Sequence, residues 1–171
     1  SAEQPLIIVG KGIAYGRAED EMRRFAEETG IPYLAMPMAK GVIPDDHPQA
    51  IAAARSFVLQ NADVVFLAGA RLNWMLHFGK APRWREDVRV IQLDSNPEEI
   101  GVNVDAETAL VGDAKVALGQ LLDALDADRG DRRARQRGEQ HAPQRVAQRG
   151  PEAGFQRLRD DASVIVLVGV Y

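Results

Sequence analysis

The sequence contains no cysteine, which excludes disulfide bonds, thiolate nucleophiles and zinc sites built on thiolates. It has no apolar run close to the roughly 20 residues that span a bilayer, and its N-terminus does not begin with a basic segment followed by an apolar stretch. We therefore expect no membrane insertion and a cytoplasmic location. Without cysteine, any chemistry would have to come from carboxylates, the three histidines, hydroxyls or a bound cofactor.

The charged residues are distributed unevenly along the chain. The net charge is −4, but residues 126–161 hold nine arginines against seven acidic residues. The interleaved acids would cancel much of the attraction of this tract for phosphates. We expect a solvated helix or linker here, and no nucleic acid as a partner.

Short apolar runs that end in glycine or a polar residue predict the strands of a buried parallel sheet. The first run, PLIIV, is followed by a predicted tight turn at residues 10–12. The predicted strands cover residues 5–9, 33–35, 64–68, 88–93 and 109–111, with a further apolar run at 164–168. Helical periodicity predicts amphipathic helices over residues 18–29, 49–60 and 114–125, a helical turn at 74–78 and a helix start at 97–99.

The alternation of strands and helices is typical of an α/β fold. It predicts an open parallel sheet with helices on both faces, joined by right-handed crossovers. We expect one domain over residues 1–125, followed by an Arg-rich linker or helix over residues 126–160. Residues 161–171 are interpreted as a final strand or as the start of a truncated cofactor-binding domain.

Ligands of open α/β sheets bind beyond the carboxyl ends of the strands. The sequence places Lys11 and Gly12 after the first predicted strand, Arg71 after the third and Asp94 after the fourth. Glycine lets a backbone approach a ligand, the two cations can neutralise phosphate, and the carboxylate can accept hydrogen bonds from ribose hydroxyls. Together these residues predict a nucleotide site, whereas each glycine by itself is better explained by a turn.

The spacing of Gly10, Gly12 and Gly16 is similar to the dinucleotide-binding fingerprint but departs from it. Three residues separate the last two glycines where that motif has two. In addition, no acidic residue closes the second short strand. Both departures argue against a standard NAD site.

No catalytic residue and no metal site is predicted. His47 lies between Asp46 and Pro48 and fits a turn or a helix start. His77 fits core packing or a subunit interface better than a role facing a cofactor. Asp45 and Asp46 are adjacent, and their side chains diverge in most backbone conformations, which does not suit a metal ion.

Four segments resemble the central domains of thiamine-diphosphate-dependent enzymes. The loop at residues 37–48 is typical of the whole superfamily, whereas residues 69–79 (GARLNWMLHFG) are similar to the 2-hydroxyacyl-CoA lyases and oxalyl-CoA decarboxylases in particular. Residues 90–94 and 110–113 continue the similarity, which covers residues 5–125. The resemblance implies a Rossmann-like central domain within a three-domain subunit.

The resemblance also implies where the cofactors of the parent enzyme bind. Thiamine diphosphate and magnesium would be bound by the two other domains of paired subunits, so this chain would be inactive alone. The parent would be a homo-oligomer that acts on an acyl-CoA substrate. The central domain of the decarboxylases can hold ADP, and the positions that correspond to its contacts are Lys11, Gly12, Arg71, Asp94 and Ala114.

The same resemblance bears on the branch of the family and on the end of the chain. The run at residues 76–79, followed by Pro82 and Arg83, favours the lyase branch. The family usually continues with Gly-Ala-Asn where this sequence has Gly169, Val170 and a terminal tyrosine, so we expect a truncated fragment. Two alternatives stay open: a purely structural domain that supports subunit assembly around an empty ancestral nucleotide site, and an independent NAD-binding protein.

Overall fold

A computed structural model describes residues 2–140 of the chain. Its strands form one five-stranded sheet in the order β2-β1-β3-β4-β5, and all four neighbouring pairs are parallel. The predicted α/β fold with an open parallel sheet is confirmed. The strands are β1 Pro5–Val9, β2 Tyr33–Ala35, β3 Val64–Ala68, β4 Arg89–Asp94 and β5 Ala106–Val111.

Four α-helices accompany the sheet: α1 Lys11–Tyr15, α2 Glu19–Thr29, α3 Arg55–Asn61 and α4 Ala114–Gln140. The side chains of each strand alternate between two apolar layers, since successive residues point to opposite faces. One layer joins Ile7 and Val9 to helices α1, α2 and α4, and the other joins Leu6 and Ile8 to α3 and to the buried Trp84. Both faces of the sheet are therefore covered, as predicted.

Helix α2 shows why the local sequence folds as it does. Met22, Phe25 and Ala26 are buried against the sheet, at the spacing of one helical face. Acidic side chains occupy the first turn, where they oppose the helix dipole. Gly30 ends the helix in the left-handed conformation, with φ 70°. The helix predicted over residues 18–29 is confirmed to within one residue.

The helix predicted over residues 49–60 is wrong in its first half. The backbone of Tyr33 bonds instead to this segment, with its N–H to Gln49 O at 2.9 Å and its carbonyl accepting from Ile51 N at 3.1 Å. These bonds make a parallel bridge between Tyr33 and Ala50 at the edge of the sheet. A 3₁₀ turn at Ala52–Ala54 follows, and α3 begins only at Arg55.

Four other features differ from the sequence prediction. Lys11 and Gly12, predicted to belong to a tight turn at residues 10–12, are the first residues of the short helix α1. Strand β5 begins three residues earlier than predicted, at Ala106, and strand β4 is shifted by one residue. The turn predicted at 74–78 is a 3₁₀ segment, Trp74–Gly79, which is interrupted by residues of positive φ.

Helix α4 continues to Gln140, well past the predicted helix end at residue 125. The domain boundaries at residues 125 and 160 stay predictions, and the predicted strand at 164–168 lies outside the described residues. Every helix within residues 2–140 is too short or too polar to cross a membrane.

Candidate functional site

A cleft of about 690 Å³ opens at the carboxyl ends of β1, β3, β4 and β5. This is the position at which the topology of an open α/β sheet favours ligand binding. All five residues expected at a nucleotide site line this cleft: Lys11, Gly12, Arg71, Asp94 and Ala114. Their role in binding stays a prediction.

Three glycines shape the floor of the cleft by close backbone packing. The N–H of Gly12 donates to the carbonyl of Gly69 at 3.0 Å. A Cβ on Gly10 would lie 2.1 Å from that same carbonyl oxygen, and a Cβ on Gly12 would lie 2.8 Å from Gly69 Cα. The turns after β1 and β3 can meet only because these residues have no side chains, so the glycines have a structural role independent of any ligand.

Lys11 supplies the positive charge at the β1 end of the cleft. Its side chain is exposed, and its Nζ lies 5.8 Å from the centre of the Tyr15 ring. Among the described side chains, no carboxylate forms an ion pair with it. The ammonium is therefore available to an anionic group entering the cleft.

Arg71 follows β3 and bridges two carboxylates at the end of β4. Its Nη1 lies 3.0 Å from Glu99 Oε1, and its Nε lies 3.7 Å from Asp94 Oδ2. Asp94 is only 8% exposed, and its Oδ1 accepts a hydrogen bond from the Asn96 N–H at 2.9 Å. The second oxygen of Asp94 keeps acceptor capacity for a ligand, since 3.7 Å exceeds hydrogen-bonding distance.

Glu99 is held by a buried glutamine below it. The Gln92 side-chain amide donates to the Glu99 carbonyl at 2.8 Å and accepts from the Gly101 N–H at 3.0 Å. Glu99 is not among the residues that the sequence predicts for the site. The pattern at residues 97–99 predicts only a helix start, whereas the pairing of Glu99 with Arg71 depends on how the chain folds back over the end of β4.

Asp113 adds a third carboxylate on the far side of the cleft. It precedes α4, and its Oδ1 accepts from the N–H groups of Lys115 and Val116 at 2.9 and 3.0 Å, which caps the helix. The Gly112 N–H bonds to the Asp94 carbonyl at 3.1 Å, so the ends of β4 and β5 adjoin. The rim of the cleft is therefore positive at β1 and β3 and negative at β4 and β5.

The mouth of the cleft is apolar. Four large side chains line it and are nevertheless exposed, and of these Phe78 is held in the left-handed region, with φ 55°. Such surface suits a ligand with a flat, weakly polar part. The four are Tyr15, Met38, Phe78 and Val102.

The histidines within the described residues lie outside the cleft. His47 has the turn role expected of it, because its Nδ1 accepts from the Gln49 N–H at 3.3 Å and its own N–H bonds to the Pro44 carbonyl. The core-packing interpretation of His77 is wrong, since this residue is exposed. Its φ of 51° places it in the left-handed part of the segment Trp74–Gly79.

Within residues 2–140, no group of three or more His, Cys, Asp or Glu side chains could hold a metal ion. Asp45 pairs with Lys40 at 3.1 Å instead. The cleft instead offers charges of both signs, together with hydrogen-bond donors and acceptors. Polar and charged groups of these kinds can bind a ligand such as a nucleotide.

The parallel sheet defines a Rossmann-like domain, and the cleft lies where such domains bind their ligands. The family model described as "Thiamine pyrophosphate enzyme, central domain" matches residues 1–121. This chain belongs to that family of central domains.

Relatives of two kinds are identical to this chain at about half of the aligned residues. The mouse 2-hydroxyacyl-CoA lyase 1 is 52% identical over 125 residues, which cover 73% of this chain and 22% of the relative. The oxalyl-CoA decarboxylase of Escherichia coli K12 is 51% identical over 121 residues, which cover 71% of this chain and 21% of the relative. The chain thus spans about a fifth of the length of these curated relatives.

A solved structure supports the fold. An X-ray structure from Mycobacterium smegmatis, of a protein assigned to the thiamin diphosphate-dependent enzymes, matches with a TM-score of 0.56 at 23% identity. The match covers 70% of this chain and 24% of that one. At this identity the similarity shows a common fold.

Proposed function

We propose that this chain is the nucleotide-binding central domain of a thiamine-diphosphate-dependent 2-hydroxyacyl-CoA lyase or oxalyl-CoA decarboxylase. The two kinds of relative support this assignment at 52% and 51% identity. The lyase is our first choice, because the run at residues 76–79, with Pro82 and Arg83, resembles that branch. The parent would be a homo-oligomer that acts on an acyl-CoA.

In this proposal the catalytic chemistry lies outside the described residues. Thiamine diphosphate, held by the other domains of the parent, would supply a nucleophilic carbon and an electron-accepting ring. Residues 2–140 have no cluster of metal ligands for the accompanying magnesium. The role we assign to this domain is therefore binding and assembly.

The order of charges along the rim carries the nucleotide proposal. Neighbouring parallel strands lie about 4.8 Å apart, so the ends of β1 and β4, two strand spacings apart, are separated by roughly 10 Å. A diphosphate would lie near Lys11 and Arg71, and the ribose hydroxyls would donate to the buried carboxylate of Asp94. The base would then lie beyond Asp94, toward the exposed Val102. ADP combines these three parts in this order.

A purely structural domain is the second candidate, because two observations favour it. The contact between Gly12 and Gly69 explains the glycines without any ligand. Phe57 and Trp74 are 66% and 72% exposed, which is typical of side chains that become buried at a subunit interface. This candidate predicts self-association, measured by light scattering, without nucleotide binding.

Thermal unfolding of the chain with and without ADP tests the nucleotide site. A ligand at 100 times its Kd adds about 2.7 kcal/mol to the free energy of unfolding, so we expect a clear rise in Tm. The double variant R71A/D94A should lose this rise. The matched control is R23A/D20A, which removes an exposed ion pair of 2.7 Å on α2 and should keep it. A chain whose Tm is unchanged by every adenine nucleotide contradicts the proposal.

The reaction is tested on the full-length parent with thiamine diphosphate and magnesium. We expect a 2-hydroxyacyl-CoA to be cleaved to formyl-CoA and an aldehyde. Formation of formyl-CoA from oxalyl-CoA alone would assign the decarboxylase instead. A parent that acts on neither substrate would overturn both assignments.

A further inference from the structure

The negative half of the cleft rim limits which nucleotides can fit. Asp94, Glu99 and Asp113 contribute three carboxylates there, and Arg71 is the cation that lies among them. This half of the rim therefore has a net charge of −2. A neutral group that donates hydrogen bonds is favoured at this end of the cleft, and a phosphate is repelled.

We infer that the cleft selects nucleotides with unmodified ribose hydroxyls and rejects those that carry a phosphate on the ribose. This inference rests on the proposed nucleotide binding and extends it to the chemical class of the ligand. Asp94 has the acceptor that two adjacent hydroxyls can share, and as a carboxylate it has no donor to offer a phosphate.

Arg71 does not reverse this preference, although arginines at some dinucleotide sites do accept a ribose phosphate. Its Nη1 is already 3.0 Å from Glu99, and its Nε faces Asp94. A phosphate placed at the ribose end would compete with two carboxylates for one guanidinium. The 5′-diphosphate also lies near Arg71 in our proposal, but it does not depend on this guanidinium alone, because it lies toward Lys11, whose ammonium has no carboxylate partner among the described residues.

The inference has a consequence for the acyl-CoA of the proposed parent. The nucleotide part of coenzyme A carries a 3′-phosphate, so this cleft would not be occupied by coenzyme A or its thioesters. Substrate and nucleotide would then occupy separate sites.

Three isomeric ligands provide the test. ADP, adenosine 2′,5′-bisphosphate and adenosine 3′,5′-bisphosphate each consist of adenosine with two phosphate groups, and they differ only in where the second phosphate is attached. Isothermal titration of the chain should give a Kd for ADP at least tenfold lower than for either bisphosphate. Equal affinities for all three would overturn the inference and leave the nucleotide proposal intact, whereas binding of none would overturn both.

Variants assign the selectivity to the carboxylates. D94N should reduce the preference for ADP over the bisphosphates at least threefold. E99Q, which changes a partly exposed side chain, should do the same. D105N is the matched control, because Asp105 is exposed and precedes β5 at the opposite edge of the sheet. Each variant is first checked for an unchanged Tm. An undiminished preference in both folded variants would contradict the role of the carboxylates.

Discussion

The indole N–H of Trp84 donates a buried hydrogen bond of 2.7 Å to the carbonyl of Leu76. This bond fastens the segment 74–79, which carries Phe78 at the mouth of the cleft, to the apolar layer on one face of the sheet. Asn73 holds the same segment from the other side, since its carbonyl accepts from the N–H groups of Leu76 and Phe78 at 3.0 and 2.9 Å. The left-handed residues of this turn are thus fixed by surrounding bonds.

The two tryptophans of the chain allow a direct comparison. W84F should lower the free energy of unfolding by about 1–3 kcal/mol, because it leaves the buried carbonyl of Leu76 without a donor. W74F is the control, since Trp74 is 72% exposed, and it should change stability by less than about 0.5 kcal/mol. Urea denaturation followed by circular dichroism measures both. Equal effects of the two substitutions would contradict the role given to the Trp84 bond.

The glycine contact beneath the cleft makes a second prediction. G10A would place a Cβ 2.1 Å from the Gly69 carbonyl oxygen, so we expect a loss of about 1–3 kcal/mol in stability. G130A is the matched control, because Gly130 lies within α4 with nothing within 4 Å of its added Cβ. That substitution should stabilise the chain by about 0.5–1 kcal/mol through better helix propensity. Chemical denaturation measures the free energy of unfolding of both variants. A G10A chain as stable as the unsubstituted chain would contradict the close contact.

Asp63 makes a prediction about pH. Burial by itself raises the pKa of this carboxyl, but the backbone N–H groups of Glu3 and Gln4, which donate to it at 2.7 and 2.8 Å, outweigh burial and lower the pKa. The carboxylate therefore adds stability that is complete above the ordinary Asp pKa of about 3.9 and is lost as the pH falls toward the lower folded value.

The variant D63N tests this dependence. At pH 7 it should be less stable than the unsubstituted chain by about 1 kcal/mol, and this difference in the free energy of unfolding should shrink steadily below pH 4. D20N, which affects an exposed carboxylate on α2, should show a smaller difference at pH 7. A Tm difference between D63N and the parent sequence that persists unchanged at pH 2.5 would show that the N-terminal bonds do not depend on ionised Asp63.

Arg129 joins the far half of α4 to α2. Its guanidinium bonds to both the side chain and the carbonyl of Glu28. R129A should increase hydrogen exchange of the amides around residues 126–133 by up to about fivefold, which corresponds to the loss of about 1 kcal/mol expected for a partly exposed pair. R132A should change it less, because the partner of Arg132 among the described side chains is Asp128 on the same helix, at 2.7 Å. Similar exchange in both variants would contradict a link between the helices.

Strands β1 and β3 could be predicted to the residue because their apolar runs stop at glycine. The first residues of β5 could not, since this edge strand alternates between partly buried and exposed positions and has no continuous apolar run. Periodicity predicts a helix that includes Gln49 and Ile51, but their backbone groups bond to Tyr33 in a remote strand. Local patterns cannot report such a pairing.

The same distinction applies to the cleft. Lys11, Arg71 and Asp94 could be predicted to meet there because parallel strands end at one edge of a sheet. The pairing of Arg71 with Glu99 could not, because it depends on a short loop that is positioned by the buried Gln92. The charge reversal along the rim therefore emerges only in the folded chain.

Helix α4 starts beside the cleft, and its 27 residues extend for about 40 Å, whereas a six-residue strand covers only about 20 Å. About half of the helix therefore exceeds the length of one strand, at the end away from the candidate nucleotide site. Ala114 at the rim of the cleft and Gln140 about 40 Å away are therefore the two ends of one continuous helix. A change in the direction of this helix at its first turn would displace its last turn several times farther, in proportion to its length.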